Sequence, residues 1–86
     1  MDKRILQLRN EIDNLDEEII QLLKKRMRIS KEVGQLKERL DIPVEDKKRE
    51  KEIIDRLTAQ AGKNLSEEQL IRIFTAVIKT SKQVQQ

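Results

Sequence analysis

The chain contains no cysteine, histidine, tryptophan or tyrosine among its 86 residues. Without cysteine there is no disulfide, no thiolate nucleophile and no sulfur-ligated metal. Without histidine the commonest metal ligand and the usual general base are gone as well. Two glycines and one proline leave few places for turns, and the single aromatic, Phe74, argues against a sheet. No apolar run approaches the roughly 18 residues that span a bilayer, and no signal peptide opens the chain. The expectation is a cytoplasmic protein with no membrane contact. The length allows a single domain over residues 1–86.

What is present is charge and aliphatic carbon. Charged residues make up 41% and hydrophobic ones 36%, and 19 basic against 16 acidic side chains leave a net charge of +3. That mixture reads as the solvated outside of helices, with a small positive excess that admits an anionic partner.

From Asp2 to Leu40 only Gly34 interrupts a helical pattern. Ile5, Leu8, Ile12, Leu15, Ile19, Leu22, Ile29, Val33, Leu36 and Leu40 fall in the a and d positions of successive heptads. Pro43 disfavours the helical conformation at Ile42 and closes this first element. Asp46 is a good N-cap for a second helix running to about Ala61, with Ile53, Ile54 and Leu57 as its stripe and Gly62 as its stop. Ser66 and Gln69 form a capping-box pattern that opens a third helix, whose stripe is Leu70, Ile71, Phe74, Val77 and Ile78. The fold class is all-α, three helices with one very long first helix.

A lone helix of that length exposes an apolar seam, of which the two shorter helices can cover only part. Self-association is expected, most simply as a two-fold dimer. Antiparallel pairing of two first helices matches Ile5 with Ile29, Leu8 with Arg26, Ile12 with Leu22 and Leu15 with Ile19, every pair centred on Glu17. The same register sets Arg9 of one chain beside Arg26 of the other. Within one chain these arginines are 17 residues apart, roughly 25 Å along a helix, too far to hold one small ligand.

Arg26 is the anomaly of the seam. It reads either as a register-setting or snorkelling arginine, or as a ligand-binding group. Lys37 lies 11 residues on and points the same way. Ser81 and Gln85 continue the Phe74 and Ile78 face into polar chemistry. Asp46, Arg49 and Glu50 sit at the start of the second helix, where capping and solvation are the plainer explanations for them. Together the set describes an inward pocket of cations, an amide and one acid, suited to a small dianion. It holds no nucleophile–base pair and no metal cluster. Any catalysis here would rest on positioning and electrostatics.

Three stretches carry a resemblance: Leu8-Arg9-Asn10-Glu11-Ile12-Asp13 on to Val33-Gly34-Gln35-Leu36-Lys37, then Pro43-Val44-Glu45-Asp46-Lys47-Lys48-Arg49-Glu50, then Phe74 through Ser81 to Gln85. Together they resemble the all-helical chorismate mutases over almost the whole chain. The resemblance implies an intertwined six-helix homodimer with two active sites, each built from both chains. It also implies conversion of chorismate to prephenate by a [3,3] rearrangement in the shikimate route to phenylalanine and tyrosine, with no cofactor or metal. By position, Arg9 from the partner chain and Arg26 would bind the two carboxylates with help from Ser81, and Lys37 and Gln85 would donate to the ether oxygen. Glu50 would accept from the ring hydroxyl, which the Asp46 backbone also contacts; Arg49 would organise Glu50; Val33 and Ile78 would form apolar walls. Lys37, Gln85, Arg26 and Glu50 are thus the expected catalytic residues.

Two rivals stand beside this reading. One is a helical dimerisation or regulatory module whose basic face meets nucleic acid or an acidic protein. Against it, the distinctive cations face the seam, and no helix-turn-helix or aromatic stacking set is present. The other keeps the fold but splits isochorismate into salicylate and pyruvate, for which no residue speaks.

Overall fold

The computed structural model describes residues 2–86. It comprises three helices, α1 (Lys3–Arg39), α2 (Lys47–Thr58) and α3 (Glu67–Gln85). The longest dimension, 57 Å, is essentially the length of α1. Asp2 caps α1 by accepting from the Arg4 amide at 2.7 Å. At the far end Asp41 adopts φ 57°, while the amides of Asp41 and Ile42 return to the carbonyls of Glu38 and Lys37. This is a Schellman turn with aspartate in the left-handed position, so α1 stops before Pro43 has any say.

Asp46 caps α2 by accepting from the Arg49 amide at 3.0 Å, and Ser66 with Gln69 forms the complete capping box that opens α3. The end of α2 departs from expectation. The α-helix closes at Thr58, whose hydroxyl donates to the Ile54 carbonyl, and the next amides tighten to i→i+3 bonds, Gln60 to Leu57 and Ala61 to Thr58. Helical turning therefore reaches Ala61 in a narrower form. Gly62 does not act as the cap; it pairs with Leu65 in an isolated bridge, and its φ is not positive.

α3 packs against both α1 and α2, which make no close backbone approach to one another. Its docking strip on α1 is not the apolar seam. It is the adjacent face of Met27, Ser30 and Gly34, where Ser30 and Gly34 are buried. Small side chains there let two backbones meet. Among the described residues the buried apolar set is Ile53, Leu70 and Ile78, and Ile71, expected in the α3 stripe, is exposed. The seam itself is bare: Leu8, Ile12, Leu15, Ile19 and Leu22 are all more than half exposed, and every described residue from Asp2 to Lys25 is exposed. Among the described residues no helix is long and apolar enough to cross a membrane.

Candidate active site

Because α1 and α2 are held apart by α3, a cavity of about 290 Å³ opens between them. From α1 it receives Arg26, Val33 and Lys37, from the connection and first turn of α2 Asp46, Arg49 and Glu50, and from α3 Ile78, Ser81 and Gln85. The structure thus gathers nine of the ten residues expected from the sequence. Arg9 is elsewhere, on the exposed first half of α1 and outside the lining. Ile29, Ser30, Val44, Ile53 and Lys82 also line the cavity and were not anticipated.

Arg26 is positioned from across the cavity: its Nη1 donates to the Ser81 hydroxyl, which in turn donates to the Met27 sulfur at 3.5 Å. Burial, then the neighbouring charges of Arg49 and Arg56, lower its guanidinium below the usual basicity. It remains cationic at neutral pH, as arginine does. A cation that is partly desolvated and repelled by its neighbours is stabilised by an incoming anion. Lys37 donates to the Val44 carbonyl at 3.0 Å, which ties the post-helix loop to α1 and leaves two of its protons for other acceptors.

The ion pairs of Arg49 and Glu50 run to other residues. Arg49 makes its ion pair with Glu52, at 3.7 Å on the exposed side of α2. The partner of Glu50 is Lys82, whose Nζ lies 3.4 Å from Glu50 Oε1. Arg49 lines the cavity while pairing with its i,i+3 acid on α2, whereas Glu50 reaches across to α3.

Two side-chain oxygens in the lining, Glu50 Oε2 and Gln85 Oε1, are buried with no hydrogen-bond partner. Leaving such a group unmade costs about 1–3 kcal/mol, so an orphaned pair on one cavity marks where a ligand's polar atoms belong. A half-turn of the Gln85 amide presents a donor in place of the acceptor. The lining carries four cations, Arg26, Lys37, Arg49 and Lys82, against the carboxylates of Asp46 and Glu50, a surplus of two positive charges. No group of acidic side chains among the described residues is arranged to hold a metal ion.

Gly34 controls the approach of α3. A Cβ built there would fall 2.7 Å from the Gln85 Cα and carbonyl oxygen, and 2.9 Å from its Cβ. The sequence signal for this contact was the i,i+4 pair of small residues, Ser30 and Gly34, on a helix otherwise rich in long side chains.

Known proteins share this sequence pattern and this fold. The family model for chorismate mutase type II matches residues 8–86. The chorismate mutase of Methanocaldococcus jannaschii is 33% identical over 86 residues, covering 99% of this chain and 87% of that one. A bifunctional chorismate mutase/prephenate dehydratase of Aquifex aeolicus is 34% identical over 88% of this chain, which spans only 22% of that protein. The solved structure of chorismate mutase form II from Thermus thermophilus superposes with a TM-score of 0.94 at 35% identity, covering 96% of this chain and 94% of that one. Chorismate mutase from Helicobacter pylori in complex with prephenate gives 0.89 at 38% identity, covering 98% and 91% respectively.

The backbone contact at Gly34 yields a stability test. In an isolated helix Gly34→Ala would gain up to about 1 kcal/mol. Here the added methyl group meets the Gln85 backbone, and the variant is expected to lose about 1–3 kcal/mol. Urea midpoints at fixed chain concentration measure this; a gain in midpoint would mean that α1 and α3 do not meet at this point.

Proposed function

The chain belongs to the chorismate mutase type II family, and from that premise we propose that it isomerises chorismate to prephenate in the cavity between its helices. It is an isomerase, and its product belongs to aromatic amino acid biosynthesis. The observation that carries the assignment to this cavity is the pair of orphaned oxygens, Glu50 Oε2 and Gln85 Oε1, in a lining with two surplus positive charges. A dianion answers the surplus charge, its hydroxyl can donate to Glu50 Oε2, and its ether oxygen can accept from the Gln85 amide once that amide is turned to present its nitrogen.

The reaction is internal to the substrate: the ether C–O bond breaks, a C–C bond forms, and nothing is added or lost. The reactive conformer is compact, and its two carboxylates resist it by mutual repulsion. Arg26, fixed by Ser81, binds one carboxylate; Arg9 of the partner subunit binds the other. Paired guanidinium groups offset the repulsion and set the geometry. As the C–O bond opens, negative charge grows on the ether oxygen, where Lys37 and the Gln85 amide donate. These bonds strengthen in the transition state, and so lower the barrier. Glu50 accepts from the ring hydroxyl, the Asp46 backbone contacts that hydroxyl too, and Val33 and Ile78 close the apolar sides.

Sharing of the site between two chains is supported by the surface. The chain exposes 7524 Å², whereas a compact monomer of its mass exposes about 5,300 Å². The excess of about 2,200 Å² is what an obligate interface covers on each partner. The antiparallel register centred on Glu17 would bury the bare seam and bring Arg9 of the partner subunit to the Arg26 side of the cavity. A cytoplasmic setting belongs to the same reading. The regulatory-module and isochorismate-lyase readings are not favoured, since the family and relatives are named for the mutase reaction.

Incubation of the purified protein with chorismate should deplete the substrate's ultraviolet absorbance, and Arg26→Ala should slow this by on the order of 10²-fold or more. Equal rates for the two proteins would remove the cavity from the mechanism. Arg9→Ala and Arg26→Ala should each be inactive alone. Unfolded together and refolded as a mixture, they should recover about a quarter of wild-type activity, because half the dimers then hold one intact site. No recovery on mixing would rule out sites shared between chains. Gln85→Glu should work only at acid pH, where the carboxyl group can donate its proton. Equal activity of that variant at pH 5 and pH 8 would refute donation by residue 85.

A further inference from the structure

Lys82 is the cation in the cavity lining that neither the seam nor the capping pattern announces. It follows Ser81 on α3 and sits one helical turn before Gln85, on the face that looks across the cavity to α2. Its Nζ stands 3.4 Å from Glu50 Oε1 and 3.7 Å from Glu45 Oε1. The two acids differ in environment. The Glu50 side chain is 28% exposed and Glu45 is 58% exposed, with Lys82 at 32%. The pair with Glu50 is therefore the shielded one, and screening weakens the pair with Glu45.

A carboxylate on the wall of a cavity built for a dianion is an electrostatic liability. Unpaired, Glu50 would repel either carboxylate of the ligand, and it would be free to turn either oxygen inward. We propose that Lys82 is a positioning residue that works through Glu50. By engaging Oε1 it cancels the charge that would repel the substrate, and it leaves Oε2, buried and unpartnered, as the acceptor for the ring hydroxyl. The role expected of Arg49 thus falls to a lysine on a different helix. The inference rests on the mutase reading of the cavity and deepens it: the hydroxyl end of the substrate is recognised by an ion pair, not by a lone carboxylate.

The test is a double-mutant cycle on kcat and KM. Lys82→Met keeps the aliphatic stem and removes the charge. It should raise KM roughly tenfold while kcat stays within about threefold, because the lost interaction acts on binding and not on the breaking bond. Lys82→Arg should restore KM to within about threefold of wild type. In the Glu50→Gln background there is no carboxylate to compensate, so Lys82→Met should raise KM no further. Glu45→Gln, which removes only the exposed pair, should leave both constants unchanged.

A KM increase that persists undiminished in Glu50→Gln would mean that Lys82 meets the substrate directly, and would overturn the proposal. So would a fall in apparent kcat at constant KM, which is the mark of a misfolded fraction, or a Glu45→Gln effect as large as that of Lys82→Met. Lys82→Met with wild-type KM beside an impaired Glu50→Gln would sink the role of Lys82 alone. Glu50→Gln with wild-type constants would instead sink the reading of Glu50, and the Lys82 role with it.

Discussion

A helix of 37 residues in a chain whose other helices have 12 and 19 cannot be covered from within. That mismatch sets the terms for everything else in the molecule. α3 is long enough to lie along about half of α1, and it does so on the Met27, Ser30 and Gly34 strip, where backbones can come close. The heptad seam beside that strip is consequently left uncovered by this chain. A core of Ile53, Leu70 and Ile78 is too small to hold three helices together unaided. In the proposed dimer, burying the seam and delivering Arg9 to the cavity are one event, so folding, assembly and completion of the site would share the same free energy.

The electrostatics of the cavity follow from the same geometry. Side chains from α1, α2 and α3 converge on a space that none of the helices fills, and the convergent set is cationic in excess. Burial first, and then the neighbouring arginines, hold Arg26 below its ordinary basicity. No group in the set has to gain or lose a proton for the proposed chemistry. Fixed donors aimed at a developing oxyanion suffice, because they need no reorganisation when the charge appears.

The sequence carried most of this, and its failures have physical causes. Periodicity found three helices and the start of the first, and capping chemistry at Asp46 and Ser66 found the starts of the other two, all to within a residue. Helix ends were harder. The close of α2 depends on a Thr58 hydroxyl competing for backbone carbonyls and on i→i+3 tightening, neither of which has a sharp residue signature. The a/d pattern said where apolar surface lies but not which neighbour covers it, so the docking of α3 on the adjacent small-residue strip went unseen. Arg26, Lys37, Ser81 and Gln85 were legible as polar residues on faces that ought to be buried. Lys82 was not, since one lysine on a helix with many charges looks like solvent-facing ballast until its Glu50 partner is known. The link between Arg49 and Glu50 came from the family resemblance alone, and in the structure their ion pairs run to Glu52 and Lys82.

A site assembled on so small a core still demands ångström-level placement, since misplacing a catalytic donor by that much can cost about 10²-fold in rate. The structure meets the demand with backbone contacts. Lys37 and Gln85, the proposed donors to the ether oxygen, come from the C-terminal ends of α1 and α3. Gly34, one turn before Lys37, lies against the Gln85 backbone, so the separation of the two donors is set where main chain meets main chain and not by two flexible side chains. The Schellman turn that follows binds the Lys37 carbonyl through the Ile42 amide, and the Lys37 ammonium holds the Val44 carbonyl. Those bonds fix the loop leading to Asp46, Arg49 and Glu50. The two sides of the cavity proposed to bind the hydroxyl and the ether oxygen are thereby referred to one short segment of α1. This explains how a chain with three buried apolar side chains among its described residues can present a defined constellation: rigidity is concentrated in the last turns of two helices, which leaves the exposed remainder of α1 to the proposed dimer.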